Sequence, residues 1–134
     1  MSNIAALEGV GQINAMKLKE AGITSVEKLL SMGASAKGRK EIAEKTGIGI
    51  KVILKWVNLA DLFRVKGIST QYSELLEAAG VDTVVELSKR VPENLFKKME
   101  LVNEDKNLVR KTPSIAEIHK WVNQAKHLPR IINY

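Results

Sequence analysis

Three short segments of this 134-residue chain gather the groups that can hold an anion. Gly9-Val10-Gly11, Gly47-Ile48-Gly49 and Gly67-Ile68-Ser69 each set an apolar residue between two small ones, at a break between helical patterns. Glycine lets the backbone bend sharply and leaves its amide N–H uncovered, while the apolar residue plugs the space between the flanking helices. The helix that follows adds its own unsatisfied N–H groups and the positive end of its dipole, so phosphate is the anion such turns suit. Charge ranks them. Lys45 precedes Gly47-Ile48-Gly49, and Lys51 and Lys55 follow it, which makes this the best-equipped turn. Glu41 and Glu44 lie just upstream and oppose its field. After Gly9-Val10-Gly11 come the uncharged Gln12, Ile13 and Asn14, and the first cation is Lys17. Gly67-Ile68-Ser69 is flanked by Arg64 and Lys66; its serine keeps an N–H and can cap a helix, but resists a left-handed backbone. A fourth place, Lys111-Thr112-Pro113-Ser114, has no glycine, and Pro113 removes one amide, so only the charges of Arg110 and Lys111 remain. Plain helix packing uses the same Gly-x-Gly turn whether or not anything binds.

Other chemistry is sparse. No cysteine is present, which excludes a disulfide scaffold, a thiolate metal site and a cysteine nucleophile. His119 and His127 stand eight residues apart on the last helix, about 12 Å along its axis, too far to share a metal ion. Glu100, Glu104 and Asp105 read as a solvated face rather than a metal cluster. No nucleophile, base and orienting group form a set, and there is no P-loop. The expectation is a protein that is not an enzyme, with no cofactor and no metal.

The elements that must position these turns repeat. Leu18-Lys19-Glu20-Ala21-Gly22-Ile23 returns as Leu76-Glu77-Ala78-Ala79-Gly80-Val81, an offset of 58 that also pairs Gly9 with Gly67, Val26 with Val84 and Leu29 with Leu87. Lys55-Trp56-Val57-Asn58 returns as Lys120-Trp121-Val122-Asn123 at an offset of 65, so the second copy has gained seven residues between these matches. Two units follow, 4–64 and 65–128, with a tail at 129–134. Apolar spacing is helical throughout, with no period-2 alternation. Ile53, Trp56, Val57 and Ala60 form one apolar face, repeated by Ile115, Ile118, Val122 and Ala125, and both tryptophans read as core anchors. Thr24 with Glu27, and Ser114 with Glu117, carry the spacing of capping boxes. Helices are expected over 12–21, 36–45, 50–64 and 70–79, in an all-α fold of about nine or ten short helices.

Composition bounds the rest. Hydrophobic residues make up 45% and aromatics 4%, so the core must be mostly aliphatic. The net charge of +6 is uneven: residues 1–64 carry +4 and residues 65–134 carry +2. No segment approaches the roughly 18 apolar residues of a membrane span. The start, Met1-Ser2-Asn3-Ile4-Ala5-Ala6, lacks the features of a signal peptide, so a cytoplasmic protein without membrane contact is expected. The tail Leu128-Pro129-Arg130-Ile131-Ile132-Asn133-Tyr134 is apolar with one charge, suited either to pack back or to dock on a partner.

The order Gly-x-Gly, then Leu-x-Glu-Ala-Gly-Ile-x-Ser-Val-x-x-Leu, then Gly-Ile-Gly resembles the helix-hairpin-helix superfamily. Each unit is similar to the N-terminal domain of eukaryotic and archaeal recombinases and to the C-terminal domain of the bacterial RNA polymerase α subunit. Over residues 4–130 the chain resembles a bacterial family of duplicated units known only as a domain of unknown function. The resemblance implies two tandem helix-hairpin-helix units in a pseudo-twofold, continuous array. It also implies that hairpin amides hold the backbone phosphates of duplex DNA, with a nearby Lys or Arg adding charge. Carried over by position, Lys45, Gly47, Ile48, Gly49, Lys51 and Lys55 are the main contacts. Gly9, Val10 and Gly11 are secondary ones, as are Lys66, Gly67, Ile68 and Ser69. Such contacts carry no base information, so binding would be non-specific and salt-sensitive. Glycosylases of this superfamily place a catalytic Lys or Asp after a hairpin in a much longer domain, and Lys51 is a faint echo of that arrangement. The alternative is a protein-protein adaptor that uses the same fold with no nucleic-acid contact.

Overall fold

Among the described residues, regular structure consists of eight α-helices and one 3₁₀ helix, with no strand beyond an isolated bridge between Asn3 and Ser25. The all-α class is therefore as expected. The structure is a computed structural model and describes every residue except Met1 and Glu8. Those two, which figure in the reading of the N-terminus and of the first unit, lie outside the described residues. The chain divides into two compact units. The first holds the described residues up to Asp61 together with Ile131–Tyr134, and the second holds Leu62–Arg130.

The first unit contains the 3₁₀ helix Ile4–Ala6 and the helices α1 (Gly11–Glu20), α2 (Val26–Met32), α3 (Ala36–Thr46) and α4 (Ile50–Leu62), whose last residue already counts with the second unit. Its core is aliphatic around one indole: Ile4, Leu18, Ile23, Leu29, Ile42, Ile53, Val57 and Trp56 are all buried. The α1 end closes on Gly22, with the Ile23 N–H donating to the Leu18 carbonyl at 2.8 Å. The cap of α2 differs from expectation. Ser25, not Thr24, takes the extended N-cap backbone, and its Oγ accepts from the Lys28 N–H at 3.0 Å. The Thr24 carbonyl accepts from Ile4 N–H, and the Glu27 carboxylate accepts from Ser2 N–H at 2.9 Å, so the N-terminal segment uses up the groups a Thr24 capping box needs.

The second unit contains α5 (Thr70–Ala78), α6 (Val84–Ser88), α7 (Pro92–Lys106) and α8 (Ile115–His127), with α8 packed on α6 and α7 and α5 on α7. It repeats the local devices of the first. The Val81 N–H donates to the Leu76 carbonyl at 2.8 Å beside Gly80, and Thr83 caps α6 as Ser25 caps α2. Ser114 and Glu117 form the expected capping box. Ile118, Trp121, Val122 and Ala125 are buried along α8, whereas Ile115, placed on that face by spacing, is exposed at the first position of the helix. His119 Nε2 meets the Glu93 carboxylate at 2.8 Å on the surface, and His127 is exposed. Glu100, Glu104 and Asp105 are exposed, and no group of three metal-ligating residues forms among the described residues.

Each unit sets a tryptophan against the first glycine of its first turn. A Cβ on Gly9 would lie 3.9 Å from Nε1 of Trp56, and one on Gly67 would lie 2.9 Å from Nε1 of Trp121. Both glycines have a positive φ, +85° and +95°, so alanine costs about 1–2 kcal/mol in backbone strain at either. Only at Gly67 does the new methyl also meet the indole. The Tyr72 ring also packs against Trp121, with centroids 5.4 Å apart, and the buried indole has little room to yield. Chemical denaturation should show Gly67→Ala losing about 1 kcal/mol or more beyond Gly9→Ala. Equal losses would mean that the indole contact does not matter.

Candidate functional site

The three turns are built from different local devices. At Gly47-Ile48-Gly49, α3 ends with Gly47 in the left-handed conformation (φ +73°), its N–H donating to the Ala43 carbonyl at 2.9 Å. Ile48 is buried as the plug, and its N–H donates to Thr46 Oγ1 at 3.2 Å. Thr46 Oγ1 in turn donates to the Ile42 carbonyl at 2.7 Å. The amides of Gly47 and Ile48 are thus engaged within the chain. Those that open α4, from Gly49, Ile50 and Lys51, belong to the helix start, where no intrahelical acceptor exists. Lys45, Gly47, Gly49, Lys51 and Lys55 are all exposed, and the first turn of α4 has no acidic residue. Lys51 and Lys55 stand one turn apart on α4. Glu41 and Glu44 are exposed on α3, as their place in the sequence suggests.

Gly49 is the unusual member. Its φ is not in the left-handed region, and a Cβ built on it meets nothing within 4 Å. Neither backbone conformation nor packing within the chain calls for glycine there. Gly11 and Gly47 also have open space where a Cβ would stand, but their φ values of +70° and +73° account for them.

At Gly9-Val10-Gly11, Val10 is buried and both glycines are exposed. The α1 start has no side-chain cap and no acidic residue in its first turn. The surface just beyond is apolar, with Ile13 73% and Met16 62% exposed. At Gly67-Ile68-Ser69, Ile68 is buried and Gly67 and Ser69 are exposed. The Lys66 N–H donates to the Gln124 side chain at 3.1 Å, so Lys66 can contribute only its ammonium group. Two expectations for Ser69 are corrected. It does not cap α5 with its side chain, and its departure from glycine costs no strain, because φ is −131°. The third position of such a turn is left-handed at Gly11 but at neither Gly49 nor Ser69.

Of the helices that do not begin at these turns, α7 opens on Pro92 with no side-chain cap, and the other four are capped by side chains. Ser25, Ser35, Thr83 and Ser114 each accept an amide of the first turn of α2, α3, α6 and α8. The fourth equivalent place carries no comparable opening. Pro113 is buried at the position corresponding to Ile48, and Ser114 caps α8. The left-handed residue there is Asn107, with φ +51°, which ends α7. Asn103 clamps Val109 through two bonds, donating to its carbonyl at 3.1 Å and accepting its N–H at 2.9 Å. The Lys111 carbonyl accepts from Tyr72 Oη, whose pKa is raised by burial and then by the nearby Glu117 carboxylate, so the hydroxyl stays a donor. Sequence reasoning missed Asn103 and Asn107. For Asn107, an asparagine just past the last helical residue was the available signal; Asn103, whose side chain bonds Val109, had none.

The family described as "Domain of unknown function (DUF4332)" matches residues 8–128. No curated protein and no solved structure matches the chain. No helix among the described residues is long and apolar enough to cross a membrane.

Proposed function

We propose that this chain, which belongs to the DUF4332 family, is a non-catalytic module that binds the DNA backbone without sequence specificity. The supporting observation is Gly49: exposed, not left-handed, and with open space where a Cβ would stand. A phosphate oxygen approaching the Gly49 and Ile50 amides accounts for the missing side chain, since a methyl group there would stand in its way. Lys45, Lys51 and Lys55 add charge around it. Gly9-Val10-Gly11 and Lys66 to Ser69 are secondary contacts. In this reading the units are tandem helix-hairpin-helix units in a pseudo-twofold array, and the protein is cytoplasmic.

A second reading, a protein-protein adaptor, is favoured by one observation. The surface after Gly9-Val10-Gly11 presents exposed Ile13 and Met16 where a phosphate site needs a cation.

The test is a titration of the full chain with random duplex DNA at about 50 and about 200 mM salt. Micromolar-class binding at low salt that falls about tenfold or more at high salt is expected for a site with a few phosphate contacts. Absence of binding at low salt removes the DNA reading and leaves the adaptor. Gly49→Ala is expected to keep or raise stability by up to about 1 kcal/mol, since alanine lowers unfolded-chain entropy, while weakening DNA binding several-fold. Unchanged affinity would exclude the Gly49 turn as the contact.

A further inference from the structure

The segment Ile131–Tyr134 belongs to the first unit and is held there by a charged side chain that is itself buried. Arg39, on α3, is 4% exposed. Its Nη1 donates to the carbonyls of Gly33 at 2.8 Å and Ala34 at 3.2 Å, which fixes the guanidinium against the α2–α3 connection. Its Nη2 donates to the carbonyl of Asn133 at 2.9 Å. The Asn133 N–H donates to the Ala34 carbonyl at 2.8 Å. Both backbone polar groups of Asn133 are therefore taken, while its side chain is exposed. On either side, Ile132 is 2% exposed, and Tyr134 lays its ring 5.9 Å from the Arg39 guanidinium carbon and donates its hydroxyl to Asn58 Oδ1 at 3.1 Å.

We propose that Ala34, Arg39 and Asn58 form a docking site for a short extended peptide of the pattern aliphatic-x-Tyr, and that the chain's own Ile132-Asn133-Tyr134 is its resident occupant. The middle residue is bound only through its backbone, so its identity is not read. Ile132 is read by its burial, and Tyr134, which is 64% exposed, through its hydroxyl bond to Asn58 and its ring against the Arg39 guanidinium. The site attracts such a segment because without one the Nη2 donor of the buried Arg39 loses its carbonyl partner and the Ala34 carbonyl keeps only the longer bond from Nη1, and unpaired polar groups in a buried setting are costly. A tethered occupant acts at millimolar effective concentration, so the site is closed to free peptides until the strap is released.

The experiment uses the full chain carrying Ile132→Ser and Tyr134→Ala, checked for its fold by circular dichroism, and a fluorescently labelled peptide of residues 128–134. The labelled peptide should bind this chain at least tenfold more tightly than the parent chain. A peptide with phenylalanine in place of Tyr134 should bind several-fold more weakly, and a scrambled peptide should not bind. A folded, strap-vacated chain that does not distinguish the native from the scrambled peptide overturns the proposal. If the double replacement unfolds the chain, Tyr134→Phe takes its place. Tighter peptide binding to that chain than to the parent supports the site, and equal binding to both overturns it. The outcome is independent of the DNA reading, since no nucleic acid takes part.

Discussion

A chain carrying Lys51→Glu and Lys55→Glu is expected to bind random duplex DNA roughly a hundredfold more weakly than the parent at about 50 mM salt. Each lysine stands exposed on α4, one turn apart, beyond the amides of Gly49 and Ile50. Removing two phosphate contacts should also lower the slope of log affinity against log salt by about 2. The control is Lys120→Glu with Lys126→Glu, two exposed lysines on α8 of the second unit that impose the same change in net charge. A local site loses far more from the first pair than from the second. Equal losses would show that only the overall charge of +6 matters and that the Gly49 turn has no special part. Both pairs are solvent-facing, so the unfolding midpoints should move little.

Gly38→Ala is expected to destabilise the first unit by about 3 kcal/mol or more, the reverse of the usual gain when alanine replaces a helical glycine. A Cβ on Gly38 would lie 2.0 Å from the carbonyl oxygen of Met32, a backbone atom at the end of α2 that no rotamer change can move aside. The Gly38 N–H also donates to Ser35 Oγ at 3.0 Å, the cap of α3. Making room for the methyl group therefore pulls α3 from α2, strains that cap, and shifts Arg39, the next residue, off the carbonyls of Gly33 and Ala34. Thermal unfolding should show the loss as a midpoint lowered by on the order of 10 °C. An unchanged midpoint would mean that the α2–α3 junction relaxes freely.

Much of this fold was legible because its devices are short-range. The glycines that end α1 and α5, the Ser114–Glu117 capping box and the apolar plugs of the turns all depend on residues within four or five positions of one another. What was misread failed where a distant segment competes for a local group. Ser2 and Ile4 take the groups that would have made Thr24 a cap, so the helix starts one residue later on Ser25. Ser69 stands where a glycine would be expected to turn left-handed, yet its backbone is extended at φ −131°.

The candidate site divides the same way. Residue types and spacing alone singled out Gly47-Ile48-Gly49 with its three lysines as the turn suited to phosphate. They could not say that the amides of Gly47 and Ile48 are satisfied by Ala43 and Thr46, nor that Gly49 has open space where a side chain would stand. Sequence determined the helical class and the positions of the turns, because these rest on hydrogen bonds and apolar spacing a few residues long. Tertiary structure alone decided which amides stay open, why Gly38 must be glycine, and that Arg39 holds a segment 94 residues away. These depend on backbone groups brought together from distant parts of the chain, and a backbone carbonyl looks the same in every residue of a sequence.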